Sequence, residues 1–444
     1  MIALLTVGVV LIAYGAVSVP LDRRGVTSAM AFVVAGLVAG AAGFGWLDVP
    51  LESTVVERVT ELALVFLLFS DSARIDLGRL RHHLGWPSRL LLMGLPLTMV
   101  AGLGAGLLVF PGMAVTSAFL LSTMLCPTDA ALGQRVVNDT AVPARVRQAL
   151  DVESGLNDGV AVPFFLVAVD VSVATLVGGL PSAVISNIAS QIGWGVVAGV
   201  GAGVVGGGIL RAADQRGWLQ AQWRQTFTLA VAVSAYAIAG ALGGSGFIAA
   251  FVGGMAFGGV SRQHGLRTTY LAEEAGSILA AVTWLGFGAL AISKAWPNIT
   301  WHVVLYAVLS LTVIRMLPVA VAMIRSGAQW RTVVFMGWFG PRGLASIVFG
   351  LLALEAGVPN SRTLLATVVV TVGLSVFLHG LTAKPLVAAY HRWYANQAKV
   401  TASAAEARPT RMPRRRRQPD QQDTGPTVRP RPRQSRRSPL DETE

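Results

Sequence analysis

Charge is scarce in this chain. Only 13% of its 444 residues are Asp, Glu, Lys or Arg, whereas soluble domains carry about a quarter, and that shortage excludes a soluble globular fold. Cysteine is scarcer still. The single Cys126 excludes a disulfide framework within the chain and any Cys-rich metal site. His264, His302 and His379 are scattered and share no metal-ligand spacing. There is no phosphate-cradling glycine loop and no nucleophile constellation, which argues against hydrolysis and ATP-driven pumping. The sequence therefore implies neither an enzyme nor a bound cofactor.

What is abundant is apolar: 53% of the residues are hydrophobic, with 49 glycines and 21 prolines. Apolar runs long enough to cross a bilayer as helices recur along most of the chain, and membrane helices tolerate Gly and Pro. This composition predicts an all-α polytopic membrane protein. Cutting at charged and Gly/Pro-rich breaks gives about thirteen transmembrane helices. They run roughly over 2–19, 27–46, 54–73, 88–110, 114–137, 146–169, 182–210, 225–241, 244–260, 273–293, 301–323, 331–354 and 362–388. The first run, "MIALLTVGVVLIAYGAVSVP", has no basic residue ahead of it. It is read as a first membrane helix rather than a signal peptide.

Arginines cluster in every second connection: Arg23 and Arg24, Arg79 and Arg81, Arg145 and Arg147, Arg211 and Arg216, Arg262 and Arg267, Arg325 and Arg331. The alternate connections hold little beyond Arg58, Lys294 and Arg362. The positive-inside rule then places the N-terminus outside and the C-terminus in the cytoplasm of a multi-pass plasma-membrane protein. Much of the net charge of +12 sits in residues 391–444, rich in Pro, Arg and Gln. That composition predicts a disordered basic cytoplasmic tail that fixes topology and brushes anionic membrane lipid, rather than a nucleic-acid binder.

Two spans are interrupted. "LCPTDAALG" places Pro127, Thr128 and Asp129 inside the fifth, and "GWFGPRGLAS" places Pro341 and Arg342 between glycines inside the twelfth. Proline removes a backbone donor and clashes with the preceding turn, so both helices should unwind there. Unwound backbone at membrane depth must be buried in protein or line a wet cavity. The breaks are seven spans apart. This offset predicts two inverted repeats with discontinuous crossing helices, about 1–170 and 225–390, joined by a linker helix at about 182–210. Matching interruptions of this kind point to a secondary transporter's binding site.

The stretch "DVESGLNDGVAVPFF" at 151–165 sets Asp151, Glu153, Asn157 and Asp158 against an apolar run. It is either a cytoplasmic loop ahead of a span starting at Val160, or a helix. On a helix, Ser154 and Asp158 share one face, and Glu153 and Asn157 form a second stripe about 100° away. Burying one charge at mid-membrane costs roughly 2.5–3.5 kcal/mol even on a lenient scale. Two acids there invite two jobs. One can pair with a buried arginine, with Arg342 the expected partner, while the other stays free to take a proton or a small cation. Competition for one carboxylate yields exchange with no separate coupling device.

"ESGLNDG" preceded by "PTDAAL" resembles cation:proton antiporter family 1, the bacterial NhaP-type Na+/H+ antiporters, or sodium–proton exchangers. "LLFSDSARIDLGRLR" at 67–81 and "GWFGPRGLASIVFGLLAL" at 337–354 are similar to that family's corresponding segments, and the likeness runs to about residue 390. The resemblance implies a secondary antiporter exchanging Na+, K+ or Li+ for protons, with the monovalent cation held at Asp158. Ser154 and Thr128 would add oxygen ligands, and Asp71 would replace a glutamate common near the ion. Asp129 would sit where the unwound chains cross, balancing half-helix dipoles, with Asn157 holding it. Glu153 and Arg342 would form the structural ion pair. An Asn–Asp pair at 157–158 implies electroneutral one-for-one exchange serving pH homeostasis, and family members are homodimers.

Further residues stay open. Arg315 is either a second buried charge or a snorkelling arginine. Lys294 reads as interfacial, and His82 and His83 as solvated loop residues or cytoplasmic pH sensors. Glu273 and Glu274 either cap a helix or attract cations. A cation channel, a membrane sensor signalling through the basic tail and an organic-solute transporter remain rival functions. A channel would need no inverted repeat, and a sensor would need the tail.

Overall fold

The computed structural model describes residues 1–47, 53–75, 85–178, 181–261, 268–398 and Glu406. His82, His83, Arg79, Arg81, Arg262, His264 and Arg267 lie outside the described residues. So does the tail from residue 399 onward, Glu406 excepted.

Among the described residues the secondary structure is entirely helical. The first four helices are α1 (Ile2–Arg23), α2 (Ser28–Ala39), α3 (Thr54–Arg74) and α4 (Gly85–Val109). Then come α5 (Val115–Met124), α6 (Ala130–Asn138), α7 (Ala144–Val177) and α8 (Pro181–Gln215). They are followed by α9 (Ala221–Ala241), α10 (Gly246–Ser261), α11 (Tyr270–Asn298) and α12 (Trp301–Ala322). The chain continues through α13 (Trp330–Trp338), α14 (Leu344–Glu355) and α15 (Ser361–Ala398). Seven of these are long and apolar enough to cross a bilayer, and α2, α5, α10 and α14 are shorter apolar helices. The chain is a multi-pass membrane protein.

Local chemistry sets the boundaries. Thr27 and Ser53 cap α2 and α3 by accepting the Met30 and Val56 amides at 3.2 and 3.3 Å. Pro143 precedes α7, and Gly178, at φ 63°, ends it in the left-handed region that glycine enters without a Cβ penalty. α7 runs unbroken through 151–165, so the alternative that this stretch is a loop is ruled out. It also outlasts the span expected to end at 169, because Asp170 is held by the Asn187 and Gln191 amides of α8, both at 3.0 Å. α15 likewise continues past residue 390 to Ala398.

Glycines let the helices meet backbone to backbone. Gly195, Gly199, Gly203 and Gly207 of α8 face α10, where an added Cβ would collide with Ser245, Ala249, Gly253 and Val260. Gly254 and Gly258 of α10 take the backbone of Phe69 and Ala73 of α3 in the same way. α10 also reaches α7, where the Phe251 ring covers Gly159. This seam carries Asp71, near the end of α3, to α7, where its Cβ stands 3.8 Å from where a Gly155 Cβ would be. Beyond it, Phe165 of α7 stacks on Phe349 of α14 at 4.3 Å between centroids.

Candidate functional site

The two expected interruptions are real and they touch. α5 stops at Met124 and α6 starts at Ala130, while α13 stops at Trp338 and α14 starts at Leu344. The two extended links cross at a backbone hydrogen bond, with the Asp129 amide donating to the Pro341 carbonyl at 2.7 Å.

Asp129 serves both N-termini at this crossing. Its Oδ1 accepts the Ala131 and Leu132 amides at 2.7 and 3.0 Å, and its Oδ2 accepts the Leu344 amide at 2.9 Å. One buried carboxylate thus meets the positive ends of α6 and α14 together. Gly343 is required for this approach, because a Cβ there would lie 1.9 Å from Oδ2.

Arg342 does the opposite work at the other ends. Fully buried, it donates from Nη1 to the carbonyls of Cys126 and Pro127 at 2.6 and 3.1 Å, just past the end of α5. Those carbonyls belong to the unwound link beyond the helix's C-cap, Leu125, at the negative end of the α5 dipole. Its Nε and Nη2 have no partner among the described residues.

The expected Glu153–Arg342 ion pair is not formed. Glu153 takes Arg315 of α12 instead, through two parallel hydrogen bonds of 2.5 and 2.9 Å with both side chains buried. The physical reason is twofold. Arg342 is committed to carbonyls, and only Arg315 presents its planar fork to the carboxylate edge. The arginine left open between a snorkelling and a buried role is therefore buried. Its guanidinium also fills the space beside Gly340, where a Cβ would meet Nε at 2.3 Å. The sequence did hold a clue, since Arg315 and Glu153 each lie about two helical turns from the expected cytoplasmic end of their spans.

The second correction concerns Asn157. It does not hold Asp129; its Nδ2 donates to the Thr128 hydroxyl at 2.5 Å. Asp129 has three amides already, whereas Thr128 faces α7 directly. Ser154 donates its hydroxyl to the Leu150 carbonyl one turn back at 2.9 Å, leaving its oxygen lone pairs available. Asp71, a quarter exposed, lies 4.0 Å from Arg74, which in turn pairs with Glu273 of α11. Glu273 lies in the first turn of α11, where its charge favours the helix N-terminus, and it also pairs with Arg74 of α3.

Asp158 differs from all of these. Its Oδ1 is buried with no hydrogen-bond partner among the described residues, and neighbouring Asn157 has an equally unpartnered Oδ1. Asp71, Asp129 and Arg342 all lie within electrostatic reach of it. An unmet carboxylate oxygen is costly in a low-dielectric site, and the unpartnered atoms here are oxygens, the ligand type a hard monovalent cation takes. Among the described residues no group of three or more His, Cys, Asp or Glu side chains is arranged to hold a resident metal ion.

Sequence reasoning missed the Ser375 and His379 contacts to the second break. Ser375 accepts the Arg342 amide at 2.7 Å, and His379 Nε2 lies 2.9 Å from the Trp338 carbonyl. A histidine within an apolar span, spaced four residues from a serine, was the available clue.

Comparison with known proteins agrees with this architecture. The chain is 25% identical over 388 residues to the K+/H+ antiporter NhaP of Alkalimonas amylolytica, covering 87% of this chain and 66% of that one. It is 24% identical over 363 residues to the Na+/H+ antiporter ApNhaP of Aphanothece halophytica, covering 79% and 68%. The chain thus spans about two thirds of the length of these two relatives. The solved structure of the sodium proton antiporter MjNhaP1 from Methanocaldococcus jannaschii at pH 8 superposes with a TM-score of 0.68 at 17% identity. That match covers 86% of this chain and 99% of the other, and identifies the fold. The model of the transmembrane sodium/hydrogen exchanger family matches residues 7–389, and the chain belongs to that family.

Proposed function

We propose that this protein is a secondary antiporter exchanging a monovalent cation, Na+ or K+, with Li+ a further candidate, for protons by competition at Asp158. The observation that carries the proposal is the buried, unpartnered Asp158 Oδ1 beside two crossed helix breaks. Asn157 Oδ1 and the hydroxyl oxygens of Thr128 and Ser154 are the further donors, with Asp71 approaching from α3. The names of the relatives support Na+ or K+ as cargo.

The mechanism follows from charge. Protonated Asp158 is neutral and binds no cation; deprotonated, it does. Glu153 is spent on Arg315, Asp129 on three amides, and Asp71 lies beside Arg74, so Asp158 is the carboxylate we assign to trade one proton for one cation. Exchange is then electroneutral and driven by the pH difference. Lowering pH protonates Asp158 and raises the apparent KM for the cation.

The same proposal includes thirteen crossings. Fifteen helices with two broken pairs, α5–α6 and α13–α14, support that number. Each broken pair is the fifth span of its set of six, with α8 between the sets, which supports inverted repeats. The N-terminus is placed outside and the C-terminus in the cytoplasm of the plasma membrane, and the family resemblance supports a homodimer.

The experiment is dequenching of a pH-sensitive dye in proteoliposomes with an imposed pH gradient, adding Na+, K+ or Li+ in turn. It is repeated while a valinomycin–potassium clamp sets the membrane potential. Cation-triggered proton movement insensitive to potential is expected. Current without coupled proton movement would instead favour a channel.

A further inference from the structure

The α15 face formed by Ser375, His379 and Thr382 meets the second break. These residues lie at i, i+4 and i+7, so they project from one side of the helix. Ser375 and His379 are buried, at 0% and 3% exposure. The Arg342 amide donates to Ser375 Oγ at 2.7 Å, and His379 Nδ1 lies 2.9 Å from the Ser375 carbonyl and 3.2 Å from that Oγ. His379 Nε2 lies 2.9 Å from the carbonyl of Trp338, the last residue of α13. The Trp338 indole Nε1–H donates to Thr382 Oγ1 at 3.1 Å.

The Arg342 amide can only donate, so Ser375 Oγ accepts there. The imidazole lies between two carbonyls, Nε2 against Trp338 and Nδ1 against Ser375. The two side chains, one turn apart on α15, thus meet the unwound segment at both ends, at Trp338 and at Arg342.

That segment holds the other break in turn. Its Pro341 carbonyl takes the Asp129 amide, and Arg342 Nη1 takes the Cys126 and Pro127 carbonyls. Thr128, between those residues, is bonded to Asn157. We infer that Ser375 and His379 of α15 act as one clasp that positions the Thr128–Asp129 segment for cation binding. His379 is thus a positioning residue and never a ligand. The inference rests on the reading that cation binding involves Thr128 and Asp158.

The test measures cation KM and maximal exchange rate in proteoliposomes for His379→Ala, His379→Gln, Ser375→Ala and the double alanine variant. The full-length protein is used throughout, with size-exclusion profiles as the check on folding. His379→Ala should raise cation KM about tenfold, the size of one buried hydrogen bond lost, with the maximal rate nearly unchanged. His379→Gln keeps a side-chain N–H donor and should restore most of the affinity. Ser375→Ala should resemble His379→Ala, and the double variant should be no worse than either, because members of one unit do not add. If His379→Ala misfolds, His379→Gln and Ser375→Ala decide by the same criterion. An unchanged KM in the folded variants, or fully additive effects, would overturn the clasp. Asp158→Ala, run alongside, separates the two failures. Residual exchange in it defeats the site reading, whereas a dead Asp158→Ala beside a normal His379→Ala defeats only the clasp.

Discussion

Glu153 and Asp158 sit little more than one turn apart on the same helix, and the protein treats them in opposite ways. Glu153 has both oxygens on one guanidinium in a closed, buried pair. Asp158 has a buried oxygen with no hydrogen-bond partner among the described residues. Both carboxylates meet the same obstacle, the cost of an ion in an apolar surround. One solution gives a permanent bond between α7 and α12. The other leaves a carboxylate oxygen unpartnered among the described residues, the oxygen to which the proposed exchange assigns proton and cation. Around it the contacts are fixed: three amides on Asp129, two carbonyls on Arg342 and an amide on Thr128.

Four substitutions probe this contrast. The largest effect on transport is expected from Asp158→Ala, which should remove cation-coupled proton flux altogether while the protein still inserts and runs as a single species. Ion-coupled proton movement in that variant would show that Asp158 is not the transport site. The largest effect on stability should come from Arg315→Ala, which strands Glu153 and costs about 3–5 kcal/mol. Thermal unfolding in detergent reads this loss, and adding Glu153→Gln should recover part of it. An Arg315→Ala protein as stable as the parent, with only its cation affinity altered, would move the pair from scaffold to transport.

Next comes Gly343→Ala. Its methyl group must displace the Asp129 carboxylate, so stability should fall by about 1–3 kcal/mol and exchange should weaken with it. A variant with normal activity would mean the shared cap tolerates repositioning. The smallest change is expected for Ser154→Ala, which removes one candidate oxygen from the proposed site. It should raise cation KM only a few-fold, by the loss of one neutral ligand, with no change in melting temperature. A total loss of exchange would promote Ser154 to an indispensable ligand.

Much of the fold was legible because its signals are local. Apolar runs marked the helices, and Pro127 and Pro341 marked the breaks. The polar spacing from Glu153 to Asp158 marked α7 as the carrier of the candidate site. Partner choice was not local. Which arginine meets Glu153 depends on how α12 is rotated and how deep it sits against α7, and no run of residues encodes that rotation. The same limit hid Asn157's choice of Thr128 over Asp129. His379 looked like an isolated histidine until α15 was laid against α13 and α14. The close approaches at Gly159, Gly254 and Gly343 were present in the sequence only as glycines among 49.

The shared cap on Asp129 also bears on how the chain is built. Its carboxylate joins Ala131 and Leu132, made early, to Leu344, made 215 residues after Asp129 itself. Until α14 emerges, the first break has an acid with one oxygen unmet and a pair of carbonyls awaiting Arg342. Neither half of the crossing can mature alone in the bilayer. A nascent chain cut short before Arg342 therefore exposes unpaired polar groups at membrane depth, a distinguishing mark by which an incomplete transporter differs from a finished one.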